Sequence, residues 1–204
     1  MIGVVDYGCG NLFSLNASLK FLGAETVTTS DVALLDKCDK LILPGVGAFG
    51  DAVDILNKTG LSDYVKNAAN NGMPLLGICL GMQLLFTESY EYGVHKGLGL
   101  IDGAIMPLSA SDLTSGLKIP QMGWNQLKKV KDCPLFNDEL NDQYFYYVHS
   151  FYADGEGDYC YGYSDYGVKV AGLVGKDNVY GTQFHPEKSG KVGLELLRNF
   201  VEAL

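Results

Sequence analysis

The stretch Gly77-Ile78-Cys79-Leu80-Gly81 sets a cysteine between two glycines, inside the apolar run PLLGICLGMQLLF (residues 74–86). Small residues two before and two after a nucleophile let a strand and the next helix pack closely round a tight turn. Such a turn lifts the central side chain into the open and sets it at a helix N-terminus. There the dipole and free N–H groups favour a thiolate and can stabilise an oxyanion. The plainer alternative is an inert buried thiol beside packing glycines. A thiol nucleophile needs a base, and QFHPEKS (183–189) offers one. His185 and Glu187 are two apart, so on an extended segment they point the same way. Pro186 fixes the backbone between them. Glu187 can accept from one imidazole nitrogen and hold the tautomer whose other nitrogen faces Cys79. Taken alone, the same pair also reads as a solvated turn. A third piece, LPGVGAFGDA (43–52), ends another apolar run. The backbone N–H groups of Gly45-Val46-Gly47 can serve as oxyanion donors, and the glycines permit the peptide between them to reorient. By itself it is also an ordinary strand-to-helix turn. Of the other histidines, His95 reads as a surface residue. His149, in YYVHSFY, falls in a strand near the site, with a structural and a direct role both open.

The elements that must position these residues follow from periodicity. IGVVD (2–6), KLILPG (40–45) and MPLLGIC (73–79) are short, continuously apolar strands. Leu12, Leu15, Leu19 and Leu22 mark one helix face, stopped by Gly23. Residues 48–71 are helical with breaks at Gly60 and Gly72, and CLGMQLLFTES reads as a helix. Such alternation predicts a parallel sheet covered on both faces. The second half is tyrosine-rich with period-two alternation in QYFYYVHSFYAD, YCYGYSDYG, VKVAGLVG and VYGTQFHPE, which predicts antiparallel strands and hairpins. The tail sets Val192, Leu196, Leu197, Phe200, Val201 and Leu204 on one helical face. Residues 103–126 are the least regular. The expected fold is α/β in one domain, 1–204, with a parallel core, antiparallel strands in the C-terminal half and helices on both faces.

Composition excludes several classes. Charged residues are 19% against 47% hydrophobic, which is a globular balance. A net charge of -9 argues against a nucleic-acid surface. No apolar run reaches the ~20 residues of a membrane helix, and MIGVVDYG lacks the basic and apolar regions of a secretion signal. Cys9, Cys38, Cys79, Cys133 and Cys160 are widely spaced without a CxxC pair. Neither a disulfide framework nor a metal site is indicated, and a reduced cytoplasmic compartment fits. No cofactor signal is present.

Together VDYGCGNLFSL (5–15), LPGVGAFGDA (43–52), LLGICLGMQLLF (75–86), PQMGWN (120–125), YFYYVHSFY (144–152) and GTQFHPEKS (181–189) resemble the class I, or triad, glutamine amidotransferases. More narrowly, they resemble the glutaminase subunits of imidazole glycerol phosphate synthase. The resemblance runs end to end. GxCxGxQ and HPE mark the class; DYGxGN, PGVG and MGWN mark the subfamily, where anthranilate-type glutaminases carry PGPG. Gly190 departs from the Gln frequent after HPEKS. The resemblance implies a flavodoxin-like open sheet and a Cys79, His185, Glu187 triad. It implies an oxyanion hole from Leu80 N–H and a flipped Gly45-Val46 peptide, and glutamine held by Gly47, Gln83, Ser150 and Phe151. It also implies a heterodimer with a (β/α)8-barrel cyclase that takes up the ammonia, with Asn11, Trp124, Tyr146 and Lys188 at or near the interface. Core packing remains the alternative for Trp124. A paralogous glutaminase feeding another synthase, such as a sugar amidotransferase, fits the same residues. A non-enzymatic or thiol-hydrolase relative of the fold is disfavoured by the complete triad and Gln83.

Overall fold

The computed structural model describes residues 1–109 and 116–203. The first half alternates strands and helices: β1 (Ile2–Val5), α1 (Leu12–Phe21), β2 (Thr26–Thr29), α2 (Val32–Leu35), β3 (Lys40–Gly45), α3 (Phe49–Thr59), α4 (Leu61–Asn70), β4 (Leu75–Cys79) and α5 (Leu80–Leu84). Then come β5 (Phe86–Ser89), β6 (His95–Lys96), β7 (Ile101–Pro107), β8 (Gln121–Gln126), β9 (Lys128–Lys129), β10 (Tyr144–His149), β11 (Phe151–Tyr152), β12 (Cys160–Asp165), β13 (Lys169–Lys176), β14 (Val179–Thr182) and α6 (Gly190–Ala203). A main sheet runs β2-β1-β3-β4-β14-β13-β12-β9. It is parallel from β2 to β14 and antiparallel beyond. A β8–β10 ribbon and a small β11-β7-β5-β6 sheet flank it.

Alternation along the central strands fills two cores. Val4, Ile42 and Leu76 face Leu15 and Leu19 of α1 and Leu196, Leu197 and Phe200 of α6. Val5, Leu41, Leu43 and Leu75 face Phe49 and Leu56 of α3 and Leu61 and Val65 of α4. Full burial of each such side chain contributes ~1.5–3 kcal/mol, which is why these strands carry no polar alternation. Gly60 ends α3 in the left-handed region, at φ 75°, where a glycine has no Cβ penalty.

The structure departs from the sequence reading in three places. β2, TVTT, is an unanticipated edge strand of half-buried residues. The helix expected over CLGMQLLFTES stops at Leu84. Leu98 N–H donates to Leu84 O, and Leu100 and Ile101 N–H donate to Leu85 O. Those carbonyls are therefore taken by the 98–101 segment, and Phe86–Ser89 become β5 beside β7. β14 pairs antiparallel with β13 but parallel with β4, so it joins the two halves. The irregular stretch 103–126 holds the end of β7 and all of β8; its residues 110–115, and Leu204 of the tail, lie outside the described residues. No helix among the described residues is long and apolar enough to cross a membrane.

Register decides what meets at the sheet's carboxyl end. Gly45 stands opposite Cys79, and Thr182 opposite Ile78. The turns after β3 and β4 and the segment after β14 therefore leave the sheet side by side, as ligand-binding loops do in open α/β sheets.

Candidate active site

Cys79 joins β4 to α5 with φ 55° and ψ -111°, a backbone state that costs a non-glycine residue ~1–3 kcal/mol and persists only where its surroundings enforce it. The glycines show what enforces it. A Cβ on Gly81 would lie 1.8 Å from Leu43 O, and one on Gly77 would lie 2.6 Å from Gly81 O. Only glycine permits α5 to press so closely on β3 and β4. The side chain is not lifted into the open: Cys79 is 7% exposed and forms part of the floor of a cavity of about 330 Å³.

The HPE segment is not extended. Pro186–Lys188 form a single 3-10 turn with Pro186 in its first position. The turn still sets His185 Nδ1 2.8 Å from Glu187 Oε1, with both side chains 3% exposed. Burial pushes the imidazole pKa down, but negative charge on the Cys79 sulfur and on the Glu187 carboxylate outweighs it and raises it to about 9. His185 Nε2 is buried and has no hydrogen-bond partner among the described residues. The segment is locked from behind: His185 N–H donates to Tyr146 O, Ser189 Oγ donates to His185 O, and Tyr146 N–H donates to Ser189 Oγ.

The anticipated residues divide between two neighbouring spaces. Val46, Gly47, Cys79 and Leu80 line the cavity from the parallel side. Gln83, Ser150, Phe151 and His185 complete it. Gly45 and Glu187 sit one step behind, in a small recess they share with Asn11, Val46 and His185. Gly47, at φ 103° with nothing within 4 Å of a built Cβ, needs glycine for its conformation rather than for space. Trp124, Tyr146 and Lys188 form one surface cluster. Trp124 is 56% exposed, which removes core packing as its role. Its ring meets Tyr146 edge-on at 6.1 Å, and Lys188 Nζ lies 6.0 Å over the Tyr146 ring.

Several lining residues escaped the sequence reading. The Glu91 carboxylate accepts from Phe49 N–H at 2.6 Å, which ties the β5–β6 turn to the start of α3. Glu91 also lines the cavity, as does Tyr92, whose ring packs edge-on against Phe151. An acidic residue in a Tyr-Gly turn carries no spacing signal toward Cys79. His95 is half-buried rather than a surface residue, its ring packed against Gly50 and facing Phe49. His149 lines the cavity wall, and burial lowers its pKa to about 4, so the ring is neutral. Its Nδ1 donates to Phe151 O at 2.9 Å, and its Nε2 lies 2.9 Å from the atom placed as Gln121 Oε1, with Gln121 Nε2 left buried and without a partner among the described residues. A neutral ring that donates from Nδ1 accepts at Nε2, which turns the Gln121 NH2 toward the ring. Among the other cysteines, burial pushes Cys160 up to about 11 and raises Cys133, leaving both as inert thiols.

A thiol on a strained strand–helix turn, a buried imidazole beside it and a carboxylate behind that imidazole are the arrangement a cysteine-triad hydrolase uses, here on an open α/β sheet. The sequence profile described as "Glutamine amidotransferase class-I" matches residues 4–204, and the chain belongs to that family. At the level of individual relatives, it is 49% identical to a Bacillus cereus protein named "Imidazole glycerol phosphate synthase subunit HisH", over 98% of this chain and 93% of the relative. A Bacillus thuringiensis protein of the same name is 48% identical with the same coverage. Two solved structures share the fold. A glutamine amidotransferase has TM-score 0.75 and 19% identity, covering 100% of this chain and 99% of its own. PurLQS from Thermotoga maritima has TM-score 0.74 and 22% identity, covering 99% and 97%.

Proposed function

We propose that this chain hydrolyses glutamine to glutamate and ammonia through a Cys79 thioester, and hands the ammonia to a (β/α)8-barrel cyclase subunit that makes imidazole glycerol phosphate in histidine biosynthesis. The observation that carries the reading is that His185, bonded to the buried Glu187 behind it, shares one cavity with Cys79. His185 Nε2 takes the thiol proton while Glu187 holds Nδ1–H, and the sulfur attacks the side-chain amide carbon of glutamine. The tetrahedral oxyanion is held by Leu80 N–H, in the first turn of α5 where N–H groups have no partner within the helix, and by the Gly45–Val46 peptide turned N–H inward. His185 returns the proton to the departing nitrogen, which leaves as ammonia. Water, deprotonated by His185, then cleaves the thioester. Glu91 brings a carboxylate to the cavity and suits the α-ammonium of the substrate. Gln83 uses its NH2 on Phe151 O and Gln183 Oε1, so its own carbonyl oxygen is the group left for the ligand. Gly47, Ser150 and Phe151 complete the glutamine subsite.

The surface cluster of exposed Trp124 and Lys188 about half-buried Tyr146 supports docking of the cyclase over the sheet's carboxyl end, with Asn11 in the recess it shares with Glu187. Residues 1–204 act as one domain, in the cytoplasm with the rest of the pathway. The test is glutamine turnover by the chain alone and with the cyclase and its nucleotide ligand. The expected result is slow turnover alone and a gain of ~10²–10³ in the complex, the scale of one oxyanion donor, with Cys79→Ala inactive in both. Equal rates alone and in complex would make the chain an independent glutaminase. Turnover stimulated only by a different synthase would reassign the acceptor.

A further inference from the structure

Gln183 contacts both Gln83, which lines the cavity, and the Cys79 sulfur, and it has no part in the triad. It is fully buried, and its backbone N–H is held by Gly172 O at 2.9 Å. The direction of its side-chain amide follows from its neighbours. Phe151 O is a carbonyl and can only accept, so the Gln83 atom 2.9 Å from it is the donor Nε2. That same Nε2 stands 3.0 Å from the Gln183 amide, which must present its oxygen there. The Gln183 NH2 is therefore turned the other way, and it reaches Cys79 Sγ at 4.0 Å, the outer edge of hydrogen-bond range for sulfur. On another side of the sulfur stands the Val148 carbonyl, at 3.9 Å, which suits a protonated thiol. The sulfur thus has a fixed acceptor for the thiol form and a fixed donor for the thiolate form.

We propose that Gln183 is a further catalytic residue of this site, a donor that stabilises the Cys79 thiolate, with its amide locked in the donating sense by Gln83. This rests on Cys79 being the nucleophile. When the thiol proton passes to His185 Nε2, the negative sulfur is left between an imidazolium N–H and the Gln183 N–H. A donor aimed at an anion favours the charged form and lowers its pKa. Gln83 then has two tasks: its oxygen faces the ligand, and its NH2 holds Gln183 in register with the sulfur. Ligand contact at Gln83 is thereby linked to the state of the nucleophile through one shared amide.

The experiment is the pH dependence of Cys79 alkylation by iodoacetamide on the full-length chain, read from the mass of the Cys79 peptide so that the other cysteines do not contribute. Alkylation reports the thiolate directly and needs no glutamine turnover. A failed glutaminase assay therefore leaves it readable, and an unshifted profile leaves the glutaminase reading standing. Gln183→Met keeps the side-chain length and removes the donor. The expected result is a midpoint about one pH unit higher and alkylation near neutral pH slowed about tenfold, with folding preserved by circular dichroism. A folded Gln183→Met with an unshifted midpoint overturns the proposal, even if glutamine turnover falls. If that variant does not fold, Gln183→Leu decides. Loss of the donor should again move the midpoint up by about one unit, and an unshifted midpoint in the folded variant overturns the proposal.

Discussion

Cys79 and His185 reach one cavity from two regions held by different means. On the nucleophile side, β3, β4 and α5 are fixed by backbone proximity: a single methyl on Gly81 would sit 1.8 Å from the Leu43 carbonyl oxygen. On the base side, β8, β10 and the turn after β14 are laced by polar groups. His185 is bonded to Glu187, Ser189 to His185 and Tyr146, and His149 to Phe151 with Gln121 beside it. In the proposed mechanism this difference combines a rigid nucleophile with a tunable base. Steric contact holds a side chain in place regardless of protonation, while a hydrogen-bonded network answers to charge and pH. Substitutions at the packing glycines of the first side should act on folding, and those at His185 and Glu187 on the second should act on chemistry.

The largest effect tests the base side. In the complex with the cyclase, His185→Ala should lower kcat/KM for glutamine by ~10³–10⁴, because it removes the proton carrier. Glu187→Gln keeps a hydrogen-bonding side chain at Nδ1 and should cost ~10². Steady-state glutaminase kinetics give the order, and a greater loss at Glu187 would reverse the roles assigned to the pair.

Next comes the nucleophile side. Gly81→Ala must displace α5 or β3, and overpacking of this kind costs ~1–3 kcal/mol or more. Urea denaturation measures it. A loss below ~0.5 kcal/mol would mean that close contact does not hold the elbow.

The two histidines sharpen the comparison because their pKa values are shifted in opposite directions. His185 has a folded pKa of about 9, above its ordinary 6.5, so its contribution to stability is full below pH 6.5 and is lost as pH rises through about 9. His149 is depressed to about 4, so the unfolded chain gains a proton first and stability falls as pH drops from 6.5 toward 4. Denaturation of wild type and His149→Gln across that range should show the acid-side slope flattened in the variant. An unchanged slope would place the acid sensitivity elsewhere.

The smallest effect on folding is expected at the surface cluster. Trp124→Ala should change stability by no more than ~0.5 kcal/mol, since the ring is more than half exposed. It should weaken cyclase binding by ~2 kcal/mol, the scale of an aromatic anchor. Urea denaturation checks the stability and calorimetric titration against the cyclase the affinity; unchanged affinity would remove Trp124 from the interface.

What the sequence determined alone is what local chemistry encodes. Glycines two before and two after Cys79 specify a close strand–helix turn, because no other residue survives contacts as short as those at Gly77 and Gly81. His185 and Glu187 are near enough in the chain to meet whether their segment is extended or, as it is, a 3-10 turn. The apolar strands and amphipathic helices of the parallel half follow from periodicity for the same reason. Tertiary structure decided the rest. It ended α5 at Leu84 by taking its carbonyls with residues 98–101, and it brought Glu91 and His149 to the cavity wall. It paired Gln83 with Gln183, 100 residues away. Partners so distant leave no spacing in the chain, because their geometry is set by how β4, β10 and β14 come together, not by the residues beside each one.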